Sequence, residues 1–501
     1  MSIIVSKTDY LIYRDCPKNA WMKIHRPDIY KASELSSFEK LIIETGNEVE
    51  AEARKLYPTG VLISGRDEAA EAETEKLLGR GESVIFQPLF KKDNFLAAVD
   101  ILRFDAATGE YTICEVKASS GIDKNVHLYD LAFQVNLLRM CGLKVTTMEL
   151  LHLNSKYVRQ GEVDITKLFV TPDLATVTTE VEALLEEVAL EMEVALAYLN
   201  KKDEPADDKC KCIYKGRSNH CTTFAHNNKA KNIPAYGVHD ISRIGLSKAK
   251  LKELVDEDIF NLHDVPTHLK LTDVQQNQID AYKYDKVTIN PEGVRGELEQ
   301  LVYPLYFLDY ETFPSAIPRF DGYTPYQQIP FQYSLHILRA RDAELEHREF
   351  LYTEKGDPAP ELAKALQNDI GPTGSVIVWN KMFERGRNTE MGRMIPEVAA
   401  FMESVNSRLY DLQDVFSKQH YVHKEFKGKT SIKKILPVLA PTLSYKVLDI
   451  QEGGTASESW NKIATGEITG DAKKKVEEDL KKYCGLDSQA MYEIWRVLDE
   501  I

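Results

Sequence analysis

Three groups of residues in this 501-residue chain carry side chains suited to metal and phosphate chemistry. Asp100 closes the apolar stretch FLAAVD. Glu115 and Lys117 stand two apart in ICEVKA, so on a strand they project from one face. Hairpin pairing would bring Asp100 beside them. Two carboxylates at one sheet edge can hold Mg²⁺ or Mn²⁺, which polarises a phosphodiester and lowers the pKa of a bound water. The lysine can position that water or stabilise the charge that builds on the phosphate. A half-exposed strand with alternating charges would carry the same letters.

The second group begins at Asp309 and Glu311, at i and i+2 after the apolar run of YPLYFLDYETF. On a central strand both carboxylates face the same way, an arrangement that suits two ions about 4 Å apart. Further on, SVIVWNKMFERG reads as a strand followed by Asn380, Phe383 and Glu384. LKKYCGLDSQAMYEIW reads as a helix with Tyr483 and Asp487 four apart, hence on one face. The third group is Cys210, Cys212 and Cys221. Thiolates are soft ligands for zinc or an iron–sulfur cluster. A zinc site would take His220 or His226 as its fourth ligand. Cys16 lies near the N-terminus within DCPK, and Cys114, Cys141 and Cys484 read as core.

The elements that must position these groups follow from pattern. Residues 1–60 read as mostly helical. SVIFQPLF, NFLAAVDILRF and YTICEVKA (82–118) read as strands, with Gly109 in a hairpin turn. A helix over 128–143 and a strand over 145–154 follow. Residues 173–200 carry apolar residues three and four apart and predict one long acidic helix. Residues 201–221 are polar, charged and cysteine-bearing, a loop held by something other than a core. A small helical region spans 236–285, and from about Val302 α and β patterns alternate to the end. PFQYSLH, with Phe331, Gln332 and Tyr333, reads as a strand whose aromatics serve either core packing or base stacking. No internal repeat is visible.

Composition bounds the function. The chain is 43% hydrophobic and 28% charged, with 63 Lys+Arg against 78 Asp+Glu and a net charge of −15. That is ordinary for a globular protein. The acidic balance argues against a scaffold that coats nucleic acid, which needs Lys and Arg to release counterions. It leaves room for an enzyme that grips nucleic acid locally. No apolar run reaches the length of a membrane span, and the N-terminus does not read as a signal peptide. A cytoplasmic address with no membrane association is expected, and in a reducing compartment clustered cysteines suggest metal more than disulfides.

Asp100, Glu115-Val116-Lys117 and a following helix with Gln134 resemble the PD-(D/E)xK core of RecB-like exonucleases. SKTDYLIYRDCPKNAW resembles the opening of RecB-family nucleases that carry an iron–sulfur cluster, including CRISPR-adaptation exonucleases. That resemblance covers about residues 1–225. It implies that Cys16, Cys210, Cys212 and Cys221 ligate a [4Fe–4S] cluster, with Zn²⁺ the alternative. It also implies that Gln134 orients substrate, although the family's tyrosine position holds Leu138. Where the family often has His, this chain has Glu50 with Glu48 nearby.

Asp309 and Glu311, Asn380, Phe383 and Glu384, and Tyr483 and Asp487 resemble in order the three motifs of DnaQ-like DEDDy 3′–5′ exonucleases, with Glu384 in place of Asp. The resemblance implies that Tyr483 orients the attacking water. Almost the whole chain resembles an uncharacterised prokaryotic family that joins a RecB-like to a DnaQ-like domain. Asp411 is placed to sit near the site. Lys424, Lys427, Lys429, Lys433 and Lys434 form a basic patch where a phosphate backbone could be held. VHDISRIGLSKAKLKELV is similar to helix-hairpin-helix elements, with Gly245 in the turn able to turn backbone N–H groups toward a phosphate.

The expected architecture is α/β and multidomain. It has a PD-(D/E)xK restriction-endonuclease-like domain (1–230), a small helical connector (231–295) and a ribonuclease-H-like DnaQ exonuclease domain (296–501). The expected function is hydrolysis of nucleic acid by a Mg²⁺- or Mn²⁺-dependent nuclease, with exonuclease action on DNA carrying single-stranded ends favoured. The alternatives are an end-binding or assembly protein with partly inactive nuclease folds, and a ribonuclease. The sequence names no protein partner and no pathway.

Overall fold

The structure, a computed structural model, describes residues 3–30, 37–206 and 210–501. It is an α/β protein of mixed sheets and, among the described residues, twenty α-helices. The chain divides into two compact units. Unit 1 is residues 1–232 with 316–326, and unit 2 is residues 233–315 with 327–501.

Unit 1 contains β1 (Val5–Ser6), β2 (Val61–Leu62), β3 (Val84–Phe86), β4 (Leu89–Lys92), β5 (Phe95–Ala98), β6 (Ile101–Asp105), β7 (Glu110–Lys117), β8 (Val145–Leu153) and β9 (Phe169–Val170). Six of them form one sheet in the order β2-β3-β6-β7-β8-β9, and β1-β5-β4 form a second. β6 and β7 are the expected hairpin. Gly109 takes φ +70° in its turn, a left-handed conformation that costs glycine little. Its N–H donates to the Asp105 carbonyl at 2.8 Å. β7 and β8 run parallel, so the chain must cross over between them, and the helix Lys124–Met140 makes that crossing. The sheet is buried on both faces. Ile113 and Leu150 enter the core that contains the crossover helix, while their neighbours Cys114 and Leu151 enter a second core with Val49 and Phe169. That is the two-residue alternation of a strand.

Unit 2 contains β10 (Thr288–Ile289), β11 (Leu305–Pro314), β12 (Gln328–Leu338), β13 (Leu345–Leu351), β14 (Ser375–Val378), β15 (Leu409–Asp411) and β16 (Tyr421–Val422). Five form a sheet in the order β13-β12-β11-β14-β15. β13, β12 and β11 are antiparallel, and β11, β14 and β15 are parallel. On β11 the alternate residues Tyr306, Leu308 and Tyr310 enter one core. Phe307, on the opposite face, meets Tyr492 and Trp495 of the C-terminal helix Gly470–Asp499, with ring centroids 5.7 and 6.0 Å away. Asp309 and Glu311 continue that second face. The helical stretch Lys248–Asp256, Asp273–Lys283 and Pro291–Leu298 belongs to unit 2.

Two expectations are refined. The helix predicted over 173–200 is two helices, Leu174–Glu182 and Leu185–Leu199. At the start of the second helix the Leu185 carbonyl also accepts from the Asn136 side-chain amide of the crossover helix at 2.9 Å. The aromatics of β12 pack internally. Phe331 stacks on Trp460 with centroids 4.6 Å apart, and Tyr333 donates to Asp369 at 2.6 Å. Among the described residues no helix is long and apolar enough to cross a membrane.

Gly374, at φ +95°, leads the chain into β14, and a Cβ there would collide with the backbone of Pro304. Gly374→Ala should therefore destabilise unit 2 by about 2 kcal/mol or more, since left-handed strain alone costs roughly 1–3 kcal/mol. Urea unfolding checks this: the midpoint should fall, and an unchanged midpoint would count against the turn as described.

Candidate metal centres

In unit 1 the chain bends at Asp100 between β5 and β6, where it leaves one sheet for the other. Asp100 accepts from the backbone N–H of Val116 at 2.8 Å, which holds its carboxylate beside the end of β7. Its other oxygen accepts from the Gln87 amide at 3.1 Å, and the same amide donates to Glu50 at 2.8 Å. Glu50 thus lies one hydrogen-bonding side chain away from Asp100, while Glu48 is exposed.

Glu115 is buried and accepts from three side chains. Lys117 Nζ donates at 2.8 Å, Gln134 Nε2 at 2.7 Å and Lys7 Nζ at 2.9 Å. Asp130, one turn before Gln134 on the crossover helix, accepts from Lys117 at 2.6 Å and from Gln134 at 3.1 Å. Gln134 Oε1 is buried without a partner among the described residues. Burial opposes the charge on Glu115, but the ammoniums of Lys117 and Lys7 and the bonds from Lys117 and Gln134 outweigh it, so its pKa lies below the usual range. Asp100 is pushed the other way, up to about 7, by burial and then by Glu115, with Lys7 opposing. The two carboxylates therefore differ in proton affinity, since the ammoniums and Gln134 bind Glu115 directly while Asp100 is buried beside it.

In unit 2 four carboxylates from three separate stretches converge. Asp309 and Glu311 come from β11, Glu384 from the first turn of the helix Lys381–Met394 and Asp487 from the C-terminal helix. A ligand atom each from Asp309, Glu311 and Cys484 lie within 4.8 Å of one another. Burial raises the Asp309 pKa well above its ordinary value, and Asp487, Glu311 and Glu384 raise it further, in that order. Burial and then Asp487 do the same to Glu311, against a pull from Lys433. Asp487 is pushed up to about 6 by burial, moderated by Tyr445 and Lys433. Tyr445 Oη donates to its Oδ1 at 2.5 Å. Glu384, 2% exposed, is pushed up to about 8 chiefly by burial. Its Oε2 has no partner among the described residues.

Tyr483 lies one turn from Asp487, and Lys433 Nζ donates to its Oη at 3.3 Å. Gly453 faces both: a Cβ there would sit 3.9 Å from Tyr483 Oη and 4.0 Å from Glu311 Oε2. Buried like charges, an orphan carboxylate oxygen and a side-chain-free approach fit a divalent cation site with oxygen ligands. Asp411 serves at one remove. It accepts from the backbone N–H of Asn380 at 3.2 Å and of Lys381 at 2.8 Å, capping the helix that carries Glu384. Asn380 takes φ +91° at that turn. Phe383 packs against the core with the Arg387 guanidinium 4.9 Å from its ring centre.

Cys16, Cys210, Cys212 and Cys221 bring four sulfurs within 4.8 Å of one another, and these residues could hold a metal. Cys16 and Cys210 are 3.4 Å apart, as are Cys210 and Cys221. That is too far for a disulfide, whose bond is about 2.05 Å. Zinc–sulfur bonds of about 2.3 Å give a tetrahedral edge of about 3.8 Å, close to these separations. A cubane cluster, with iron and sulfide at alternate corners and one thiolate on each iron, spreads its cysteines wider. The histidines weighed for zinc are engaged elsewhere: His220 with the Lys215 carbonyl at 3.1 Å and His226 with Glu204 at 3.2 Å.

Other sequence candidates have plainer settings. Gly245 lies in a single 3₁₀ turn, and the N–H groups of Leu246 and Ser247 that follow it donate to Arg243 and Ile244 at 3.0 and 2.9 Å. Within the basic patch Lys433 reaches the unit 2 site, whereas Lys424 pairs with Asp285 at 2.6 Å. Leu138 is core. Sequence reasoning missed Lys7, Asp130, Gln87, Tyr445, Gly453 and the position of Cys484, whose Sγ lies 3.8 Å from Asp309 Oδ2. Asp130 had a signal, its place four before Gln134 on a helix. The others depend on tertiary approach.

Comparison with known proteins adds kinship without chemistry. A family model described as a domain of unknown function, DUF2779, matches residues 306–431, which include Asp309, Glu311, Asn380, Glu384 and Asp411. An uncharacterised protein of Ureaplasma parvum is 28% identical over 305 residues, 54% of this chain and 42% of that protein. An uncharacterised protein of Mycoplasma genitalium is 29% identical over 207 residues, 38% of this chain and 31% of that protein. The matched region thus spans less than half the length of these relatives.

The raised carboxylate pKa values predict how stability responds to pH. Unfolded, Glu384 titrates near 4.5 and, folded, near 8, so the fold loses stability progressively as pH rises from about 4.5 to about 8 and regains it as pH falls. Asp309, Glu311 and Asp487 act in the same direction. Glu115, whose pKa is lowered, loses its contribution only below the usual carboxylate range. In chelator, the Tm should rise as pH drops from about 8.5 to about 6. Mn²⁺ should raise it at the upper pH, and Glu384→Gln should flatten the pH response. A Tm indifferent to both pH and Mn²⁺ would contradict the site.

Proposed function

We propose that the chain is a metal-dependent nuclease with two hydrolytic centres, one in each unit. The observation that carries this reading is the convergence of Asp309, Glu311, Glu384 and Asp487, with an unpartnered oxygen on Glu384 and Tyr483 alongside. The strand order β13-β12-β11-β14-β15 supports a ribonuclease-H-like fold of the DnaQ type for unit 2. The hairpin β6–β7, crossover helix and parallel β8 support a PD-(D/E)xK fold of the RecB type for unit 1.

Bound divalent cations would polarise a phosphodiester and lower the pKa of a nearby water. In unit 2, Asp309, Glu311, Glu384 and Asp487 would hold them. Tyr483 orients the water from its Oη, kept in place by Lys433 Nζ. Tyr445 fixes the rotamer of Asp487. Gly453 leaves room for the nucleic-acid end beside Glu311. In unit 1, Asp100 and Glu115 would hold the cation and Lys117 stabilises charge on the phosphate, with Gln134 and Asp130 holding Glu115 and Lys117 in register. DNA with a single-stranded end is the favoured substrate, and 3′–5′ exonuclease action the favoured mode of unit 2.

The four cysteines form a metal clip that ties Cys16 to the segment after the nuclease core. The resemblance to iron–sulfur nucleases implies [4Fe–4S], while sulfur separations of 3.4 Å favour a single zinc ion. Anaerobic purification with metal analysis separates them. A brown protein absorbing near ~400 nm means iron–sulfur, a colourless one with one zinc per chain means zinc, and a chain with neither refutes the clip.

The nuclease reading is tested with Lys117→Ala, Asp309→Ala and the double variant on labelled single-stranded DNA and RNA in Mg²⁺ or Mn²⁺. Each single variant should lose one activity and the double variant at least a hundredfold overall. Undiminished cleavage by the double variant would overturn the assignment. Tight binding of ends without cleavage by the unmodified chain would favour an assembly role, and preference for RNA a ribonuclease.

A further inference from the structure

We propose that Lys7 is a second active-site lysine of unit 1, which holds Glu115 in the cation-free protein and passes to the phosphate when a divalent cation binds. The inference rests on the nuclease reading of that unit. Its origin is the way the Glu115 oxygens are occupied. Oε1 accepts from Lys7 at 2.9 Å and Lys117 at 2.8 Å, and Oε2 from Lys7 at 3.2 Å and Gln134 at 2.7 Å. Lys7 Nζ also stands 3.9 Å from Asp130 Oδ1. Neither oxygen is free, so a cation shared by Asp100 and Glu115 must take one from a present donor.

Lys7 is the donor that can leave. Its bond to Oε2 is the longest of the four, and its side chain is 23% exposed, against 17% for Lys117. Lys117 is also held by Asp130 at 2.6 Å, and the Gln134 amide is fully buried. An ammonium on a four-carbon stem swings without moving its backbone. The backbone at Lys7 is firmly placed. Lys7 opens the helix Lys7–Asp15, where Ser6 and Asp9 form a capping box, and Ser6 pairs with Leu96 of β5, four residues before Asp100. The same helix ends on Cys16, a member of the thiolate cluster. The displaced Nζ therefore stays within reach of the carboxylates and of an anion bound to their cation.

The charges agree. Glu115, Asp130 and Asp100 all act on Lys7, and a divalent cation bound to Asp100 and Glu115 would take over the charge that Lys7 now supplies. Removing the ammonium should tighten cation binding while depriving the phosphate of a partner. A purely structural lysine would not produce opposite effects on those two quantities.

The test uses the full chain carrying Asp309→Asn and Glu311→Gln, so that unit 1 is read alone. Mn²⁺ binding is followed by electron paramagnetic resonance, and cleavage is measured at saturating Mn²⁺. Lys7→Met should bind Mn²⁺ at least threefold more tightly and turn over at least tenfold more slowly. Lys7→Arg, which keeps the charge, should retain the parent's Mn²⁺ affinity and recover part of the turnover. Unchanged or weaker Mn²⁺ binding by Lys7→Met would overturn the proposal. Tighter binding with no cleavage by any form, the parent included, would leave the Lys7–Glu115 exchange standing and refute the nuclease reading of unit 1 instead.

Discussion

Like charges held together away from water are the constraint from which unit 2 is best understood. Two carboxylates less than 5 Å apart repel by about 3–4 kcal/mol at an effective dielectric constant of about 20, and here four interact. Whole domains are stable by only about 5–15 kcal/mol. A fold that keeps such a quartet must hold it rigidly and neutralise it. Protons serve at low pH, which is the meaning of the raised pKa values. Divalent cations would serve at neutral pH.

The scaffolding supplies the rigidity. Asp309 and Glu311 lie on a central strand whose opposite face is packed with Tyr306, Leu308 and Tyr310. Asp487 is carried by a thirty-residue helix anchored through Tyr492 and Trp495 on Phe307 of the same strand. Glu384 sits in the first turn of a helix whose start is fixed by Asp411. Unit 1 resolves the same conflict differently. Its acids are paired with Lys7, Lys117 and Gln134, so the site is nearly compensated without a metal. A cation bound between Asp100 and Glu115 would have to compete with a lysine.

Much of this was legible in the sequence because the relevant spacings are local. Two-residue spacing on a strand set Asp309 with Glu311 and Glu115 with Lys117, and four-residue spacing on a helix set Tyr483 with Asp487. The hairpin turn at Gly109 brought Asp100 within range of Glu115. What the sequence did not reveal is contact between distant segments. Lys7 reaches Glu115 across 108 positions, and Tyr445 reaches Asp487 across 42. Neither has a local pattern to mark it. Cys484 looked like core because it is an apolar-type residue on the buried face of a helix, and its neighbour happens to be Asp309. The split of the helix over 173–200 was hidden for a related reason. Its apolar spacing continues through the break, so the pattern does not mark where one helix ends and the next begins.

The central claim is that both carboxylate groups are cation sites built for phosphodiester chemistry. The most direct measurement is anomalous diffraction from crystals of the full chain grown with Mn²⁺ and a short single-stranded oligonucleotide. The account predicts manganese peaks among Asp309, Glu311, Glu384 and Asp487 and between Asp100 and Glu115, each beside a phosphate, with Lys7 Nζ turned from Glu115 toward the oligonucleotide. Crystals saturated with Mn²⁺ that place no manganese at either carboxylate group would contradict it.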